Sequence, residues 1–219
     1  MYKEIYNMKS IIDNLQKPDG SKEYPARSCR DLQYLQNNFE SGWFWIDPNG
    51  GLPNDAIYVY CKKSFKDNEQ NIESCVFPDE STAEGINKHW NAPRTENLWF
   101  SNFIEGFKIT YELSTLPQIN FLKIYSNNAY QNITITCQNS NAFNENFRIL
   151  GVNKEVVESN DSRLLVLKDD CKTASGFGET IITISSQESD VLPIVDFQPA
   201  DFRKPNQGFG FKVGPICFS

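Results

Sequence analysis

Residues 45–61, WIDPNGGLPNDAIYVYC, constrain the fold more than any other stretch. Apolar runs stand on both sides, Trp43-Phe44-Trp45-Ile46 before and Ala56-Ile57-Tyr58-Val59-Tyr60 after. Between them come Pro48, Gly50, Gly51 and Pro53. No helix passes through such a centre, because each proline removes an N–H and the Gly-Gly pair is costly to order. β-branched and aromatic residues around turn formers read as strand, tight loop, strand.

The loop is rich in oxygen. Asp47 and Asn49 stand two residues apart, Gly50 and Gly51 let backbone carbonyls turn inward, and Asp55 closes the loop from the far side. Ca²⁺ is a hard cation that takes several oxygens at once, so this set suits it. The pattern is not an EF-hand: counted from Asp47, the glycine position of that loop holds Leu52 and its final glutamate position holds Tyr58. A second reading stays open, a surface turn in which Asp and Asn bond only to nearby backbone amides.

At 219 residues the chain fits one large domain or two small ones. With 22% charged and 39% hydrophobic residues it reads as globular, not disordered. The net charge of −7 and the lack of a basic cluster argue against nucleic acid and anionic membrane surfaces as partners.

The six cysteines are Cys29, Cys61, Cys75, Cys137, Cys171 and Cys217. None forms a C-x-x-C pair and His89 is the single histidine, which argues against structural zinc. An even, widely spread set suits three disulfides in an oxidising compartment, and the residues alone do not choose among the pairings. Sequons at Asn132-Ile133-Thr134 and Asn160-Asp161-Ser162 agree with passage through the endoplasmic reticulum to the extracellular space. Met1 is followed by Tyr2-Lys3-Glu4 and not by an apolar signal, so a secreted chain of this kind is expected to be a fragment whose missing part lies upstream.

Residues 1–17 differ from the rest. Met1, Ile5, Met8, Ile12 and Leu15 repeat at alternating spacings of four and three, an a/d heptad seam. So short a helix draws its stability from partner chains or from its own domain, and the residues allow either. Residues 18–28, opening with Pro18-Asp19-Gly20-Ser21, read as a linker. From Cys29 to the end we expect one α+β domain, rich in strand and loop, with a short helix near Leu32–Leu35. Strands are expected over residues 107–113, 133–137, 147–152, 163–167 and 180–185 in a mainly antiparallel sheet. Residues 119–125 read equally as core helix or strand. The polar residues 62–74 read as an exposed loop.

The catalytic motifs are missing. There is no G-x-S-x-G elbow and no reactive-cysteine signature, and His89 reads as a surface histidine. Asp169-Asp170 reads as a turn, since neighbours on a strand face opposite ways. Gly176-Phe177-Gly178 lacks the remaining phosphate-loop residues. Trp43, Trp45, Trp90 and Trp99 could form a sugar platform, but core packing is the better reading.

Ordered landmarks across the chain resemble the C-terminal propeptide of fibrillar procollagens. They are Pro25-Ala-Arg-Ser-Cys29-Arg30-Asp31-Leu32, Ser41-Gly42, Trp45-Ile-Asp-Pro-Asn49, Asp55-Ala56-Ile57 to Cys61, Cys75-Val76, Trp99-Phe100, Gln131-Asn-Ile-Thr134 with Cys137, Leu192-Pro193-Ile194, and Phe209-Gly210 through Gly214-Pro215-Ile216-Cys217-Phe218. The resemblance implies a secreted, non-catalytic trimerisation domain of the extracellular matrix. It would bring two further procollagen chains alongside and register an upstream triple helix. It implies a coiled-coil stalk built on Ile5, Met8, Ile12 and Leu15, and petals related to the fibrinogen-like fold.

It also implies a Ca²⁺ ion held by the side chains of Asp47, Asn49 and Asp55 and by carbonyls at Gly50 and Leu52. The implied disulfides are Cys29–Cys61, Cys75–Cys217 and Cys137–Cys171, and Asn132 and Asn160 are the candidate glycosylation sites. Two cysteines that link neighbouring chains in family members fall here on Leu35 and Leu52. The trimer is therefore expected to be non-covalent, with a homotrimer the simpler case. The alternative is a secreted fibrinogen-related recognition domain for glycans or proteins.

Overall fold

The computed structural model describes residues 4–5, 12, 18–36, 38–50, 53–66, 69–85, 98–112, 115–173, 175–187, 191–202 and 204–219. Two compact units divide the chain: one comprises Met1–Val76, Leu113–Asn127 and Cys217–Ser219, the other Phe77–Glu112 and Asn128–Ile216. No helix among the described residues is long and apolar enough to cross a membrane.

In the first unit three strands run antiparallel, β1 (Gly42–Ile46), β2 (Ile57–Lys66) and β3 (Glu69–Val76). The sequence 45–61 does form strand, loop and strand, and Ile46 pairs with Ile57 at the loop's mouth. Alternation decides which residues go inside. Ile57, Val59 and Cys61 are buried while Tyr58, between the first two, is exposed. Residues 62–66 and 69–74 are strand and not the expected loop. Their polarity misled because the buried polar residues of β3 are bonded: Glu73 pairs with Lys62 at 3.0 Å, and Ser74 Oγ accepts the Cys29 N–H at 3.2 Å.

Helix α1 (Cys29–Leu35) starts at Ser28, whose Oγ accepts the Asp31 N–H at 3.1 Å, a cap for an otherwise unpaired donor. It buries Cys29 and Leu32, and Cys29 is bonded to Cys61 on β2. Helix α3 (Thr115–Ile124) buries Thr115, Gln118, Ile119 and Leu122, the three- and four-residue spacing of one helical face. Residues 119–125 thus resolve as helix through Ile124. Pro117 lies in the first turn, where its missing N–H has no helical acceptor to lose. A second disulfide, Cys75–Cys217, closes this unit across 142 residues.

The second unit opens with a single helical turn, α2 (Glu80–Ala83). Its larger sheet runs β10-β4-β8-β7, comprising Gly208–Phe218, Ala129–Gln138, Phe177–Ser186 and Leu164–Asp169. A smaller sheet runs β6-β5-β9, comprising Val156–Glu158, Arg148–Gly151 and Ile194–Gln198. The pairs β4–β8, β7–β8, β5–β6 and β5–β9 are antiparallel. Cys137 on β4 is bonded to Cys171.

The core here is aromatic. Phe100 stacks on Phe197 at 5.3 Å and meets Phe211 edge-on at 4.8 Å, geometries that add to the area the rings bury. Beside it lies a polar knot. Gln131, fully buried on β4, donates to Tyr111 Oη at 2.6 Å and to the Gly214 carbonyl at 2.8 Å, and accepts the Ile194 N–H at 2.8 Å. Residues 107–112 do not form the strand their alternation suggested. Their backbone bonds are scattered, Asp79 N to Thr110 O and Ile109 N to Val195 O, so no ladder accumulates.

Candidate metal centre

The loop between β1 and β2 brings Asp47, Asn49 and Asp55 together. Asp47 leaves β1 with its N–H donated to the Ala26 carbonyl at 2.7 Å, and its own carbonyl takes the Gly50 N–H at 3.1 Å, which closes a tight turn. Gly50 has a φ of +65°, the left-handed region that a side chain disfavours, and a Cβ there would lie 3.2 Å from Arg27 Nη2. The short 3₁₀ turn Pro53–Asp55 then delivers Asp55. Asn49 Nδ2 donates to Asp55 Oδ2 at 2.8 Å. Leu52, expected to offer a carbonyl, lies outside the described residues.

A further residue joins the site from helix α3. Gln118, 1% exposed, donates its Nε2 to the same Asp55 Oδ2 at 2.7 Å. Sequence reasoning passed over it. The available signal was a glutamine on the apolar face of a helix, beside Ile119 and one turn before Leu122.

The electrostatics are those of a site short of positive charge. Burial raises the Asp47 carboxyl above its ordinary value, and the neighbouring Asp55 charge pushes it the same way. The Gly50 N–H and the Arg27 guanidinium oppose these effects without cancelling them. Among the described residues, three buried side-chain polar atoms lack a hydrogen-bond partner, Asp47 Oδ1, Asn49 Oδ1 and Gln118 Oε1. All three are oxygens, and all belong to this site. A buried acceptor without a donor costs on the order of 1–3 kcal/mol.

A hard cation would satisfy such oxygens together. The residues present therefore fit the ion, which Asp47, Asn49 and Asp55 would hold by side chains. Bound there, it would supply charge that no side chain of the loop supplies. Another acid–thiol grouping, Glu73 with Cys75 and Cys217, offers no thiolates, since both sulfurs are in a disulfide.

The other expected site residues are dispersed. Glu4, Ile5 and Ile12 are helical, and Ile5 and Ile12 are exposed by 56% and 51%. Met8 and Leu15 lie outside the described residues, as do His89 and Trp90. Leu35 is exposed at the end of α1. Asn132 sits half-buried on β4 with its Oδ1 accepting from Thr183 Oγ1 at 2.6 Å, and Asn160 is exposed in a turn after β6. Trp43 and Trp45 are not core residues as expected. They lie on the outer face of the β1–β2 hairpin, where Trp43 stacks on Tyr58 at 5.3 Å and Trp45 packs on the same ring at 5.2 Å.

Fold and site together define a disulfide-bonded, sheet-rich domain with an oxygen-lined hairpin loop. The chain belongs to the fibrillar collagen C-terminal domain family, whose model matches residues 1–218. It is 34% identical to the collagen alpha-1(I) chain of Gallus gallus and 36% identical to the collagen alpha-1(II) chain of Xenopus tropicalis, each over 98% of its own length. It spans only 16% and 15% of those two chains.

Proposed function

We propose that this domain is the trimerisation module of a procollagen, non-catalytic and secreted into the extracellular matrix through the endoplasmic reticulum. It brings three chains together in register so that a triple helix can start. The observation that carries this reading is the family match over nearly the whole chain. The exposed Ile5 and Ile12 support a coiled-coil stalk, since two large apolar side chains on the a/d spacing gain from burial against other copies.

The petals then take a fibrinogen-like form, and Ca²⁺ at Asp47, Asn49, Gly50, Leu52 and Asp55 stiffens the loop that neighbouring chains meet. With leucine at positions 35 and 52, the homotrimer is held without interchain disulfides. Asn132 and Asn160 carry the glycans.

The test is molar mass in solution by light scattering, in calcium and then in chelator. A mass three times that of the chain in calcium is expected. A trimer that survives chelation would keep the assembly role and reduce the ion to a local staple. A monomer in both conditions, well above micromolar concentration, would end the assembly reading. The second reading, a recognition domain for glycans, is favoured by one observation: the exposed Trp43–Tyr58 stack on the hairpin that carries the loop. Saturable sugar binding by a calcium-loaded monomer would select it.

A further inference from the structure

Gln118 is an expensive residue to place where it is. Its side chain is 1% exposed, on the helix face that also buries Ile119 and Leu122. A buried amide is tolerated when both ends are bonded. Here one end is: Nε2 reaches Asp55 Oδ2 at 2.7 Å, across 63 residues of sequence, while Oε1 is buried without a donor.

Asn49 repeats the arrangement from the loop side, with its nitrogen on the same Asp55 oxygen and its own oxygen unpartnered. One carboxylate oxygen thus gathers two amides, one from the hairpin loop and one from helix α3. Each amide holds in reserve an oxygen that a cation could use.

We propose that Gln118 is part of the cation site and extends it to helix α3, so that ion binding orders the helix as well as the loop. This rests on the calcium reading given above and adds to it a residue and an element. In the metal-free protein the Gln118 amide tethers Asp55. With the ion present, its oxygen joins the set facing the charge, and the helix is held at both ends of one interaction. The side chain acts through that oxygen, because the NH2 end of an amide donates hydrogen bonds and does not face a cation.

The experiment is amide hydrogen exchange on the whole 219-residue domain with and without Ca²⁺, beside calorimetric titration of the ion. In the parent, calcium is expected to slow exchange both in the loop after β1 and in residues 115–124. In Gln118→Leu, the loop response should persist, the helix response should vanish, and Kd should rise about tenfold, the effect of one lost polar contact. Gln118→Glu keeps an oxygen at the position, so the helix response should remain. It also covers the case in which the leucine variant fails to fold.

Calcium binding with an indifferent helix α3 in the parent would overturn this proposal and leave the calcium reading standing. So would an undiminished helix response in Gln118→Leu, or a lost one in a calcium-binding Gln118→Glu. A parent that binds no calcium at all would overturn both readings together.

Discussion

Cys75 and Cys217, separated by 142 residues, are joined by a disulfide within one compact unit. Closing so long a loop restricts the unfolded chain far more than the folded one, and the chain-entropy model values it at about 5 kcal/mol. Replacing both residues by serine is expected to remove a large part of that. The midpoint of urea unfolding should fall well below that of the parent, and the slope should steepen because the freed denatured chain exposes more surface. A midpoint within error of the parent would mean that the denatured state is already compact across this loop.

The paired acids of the hairpin loop predict effects of opposite sign with and without metal. In chelator, Asp47→Asn should stabilise the domain, because it removes a buried charge and its repulsion with Asp55. In calcium the order should reverse, since the parent gains about 2.7 kcal/mol at one hundred times Kd and the variant loses most of it. Thermal unfolding of both proteins in both buffers checks this. A variant that responds to calcium as the parent does would remove Asp47 from the site.

Asp196 predicts a dependence on pH. It is 1% exposed on β9, and burial raises its carboxyl above the ordinary value, although the Ser101 hydroxyl and the N–H groups of Ser101 and Phe197 pull it back. A raised acid binds its proton more tightly folded than unfolded. It therefore costs stability as pH rises from the ordinary carboxyl value through the raised one, and the full cost is present above that. Asp196→Asn keeps an oxygen for the Ser101 and Phe197 N–H groups without the charge. The variant should be more stable than the parent at neutral pH, with an advantage that shrinks on acidification and is gone below about pH 4. An advantage independent of pH would show that the carboxylate is better compensated than its burial indicates.

The leucines at positions 35 and 52 predict what covalent linkage would need. If chains meet where the family places its interchain bond, the double variant Leu35→Cys/Leu52→Cys should run as a disulfide-linked trimer on nonreducing gels. Either single variant should not. Leu35 is 48% exposed, so a thiol there is reachable. A double variant that stays monomeric on the gel while trimeric in solution would mean that the two positions do not face each other across the contact.

The parts of this fold that could be read from residues are those decided locally. Pro48, Gly50, Gly51 and Pro53 forced a break between two apolar runs, and the hairpin followed. Asp47, Asn49 and Asp55 could be grouped because ten residues of loop keep them near one another. Gln118 could not, because only the tertiary fold carries helix α3 to Asp55.

Polarity misled at β2 and β3, where Glu73 and Ser74 are buried but bonded, to Lys62 and to the Cys29 N–H. Alternation misled at residues 107–112, which meet β9 through the Ile109 N–H to Val195 carbonyl bond and elsewhere bond to residues 79 and 82, so no ladder builds up. Trp43 and Trp45 misled by their size. Large aromatic residues usually fill cores, but here Tyr58 gives them an outer surface to stack on.

Gln131 gives strand β4 a means of detecting its own misalignment. Along that strand buried and half-buried residues alternate without interruption, so a slip of one position would turn Ile133 and Ile135 outward and bring Asn132 and Thr134 into the core. Gln131 adds a polar penalty to that apolar one. A slip turns that amide to the opposite face and leaves the Tyr111 hydroxyl, the Gly214 carbonyl and the Ile194 N–H without their shared partner inside the core. A single polar side chain thus makes a near-miss pairing, already disfavoured by the apolar alternation, worse still.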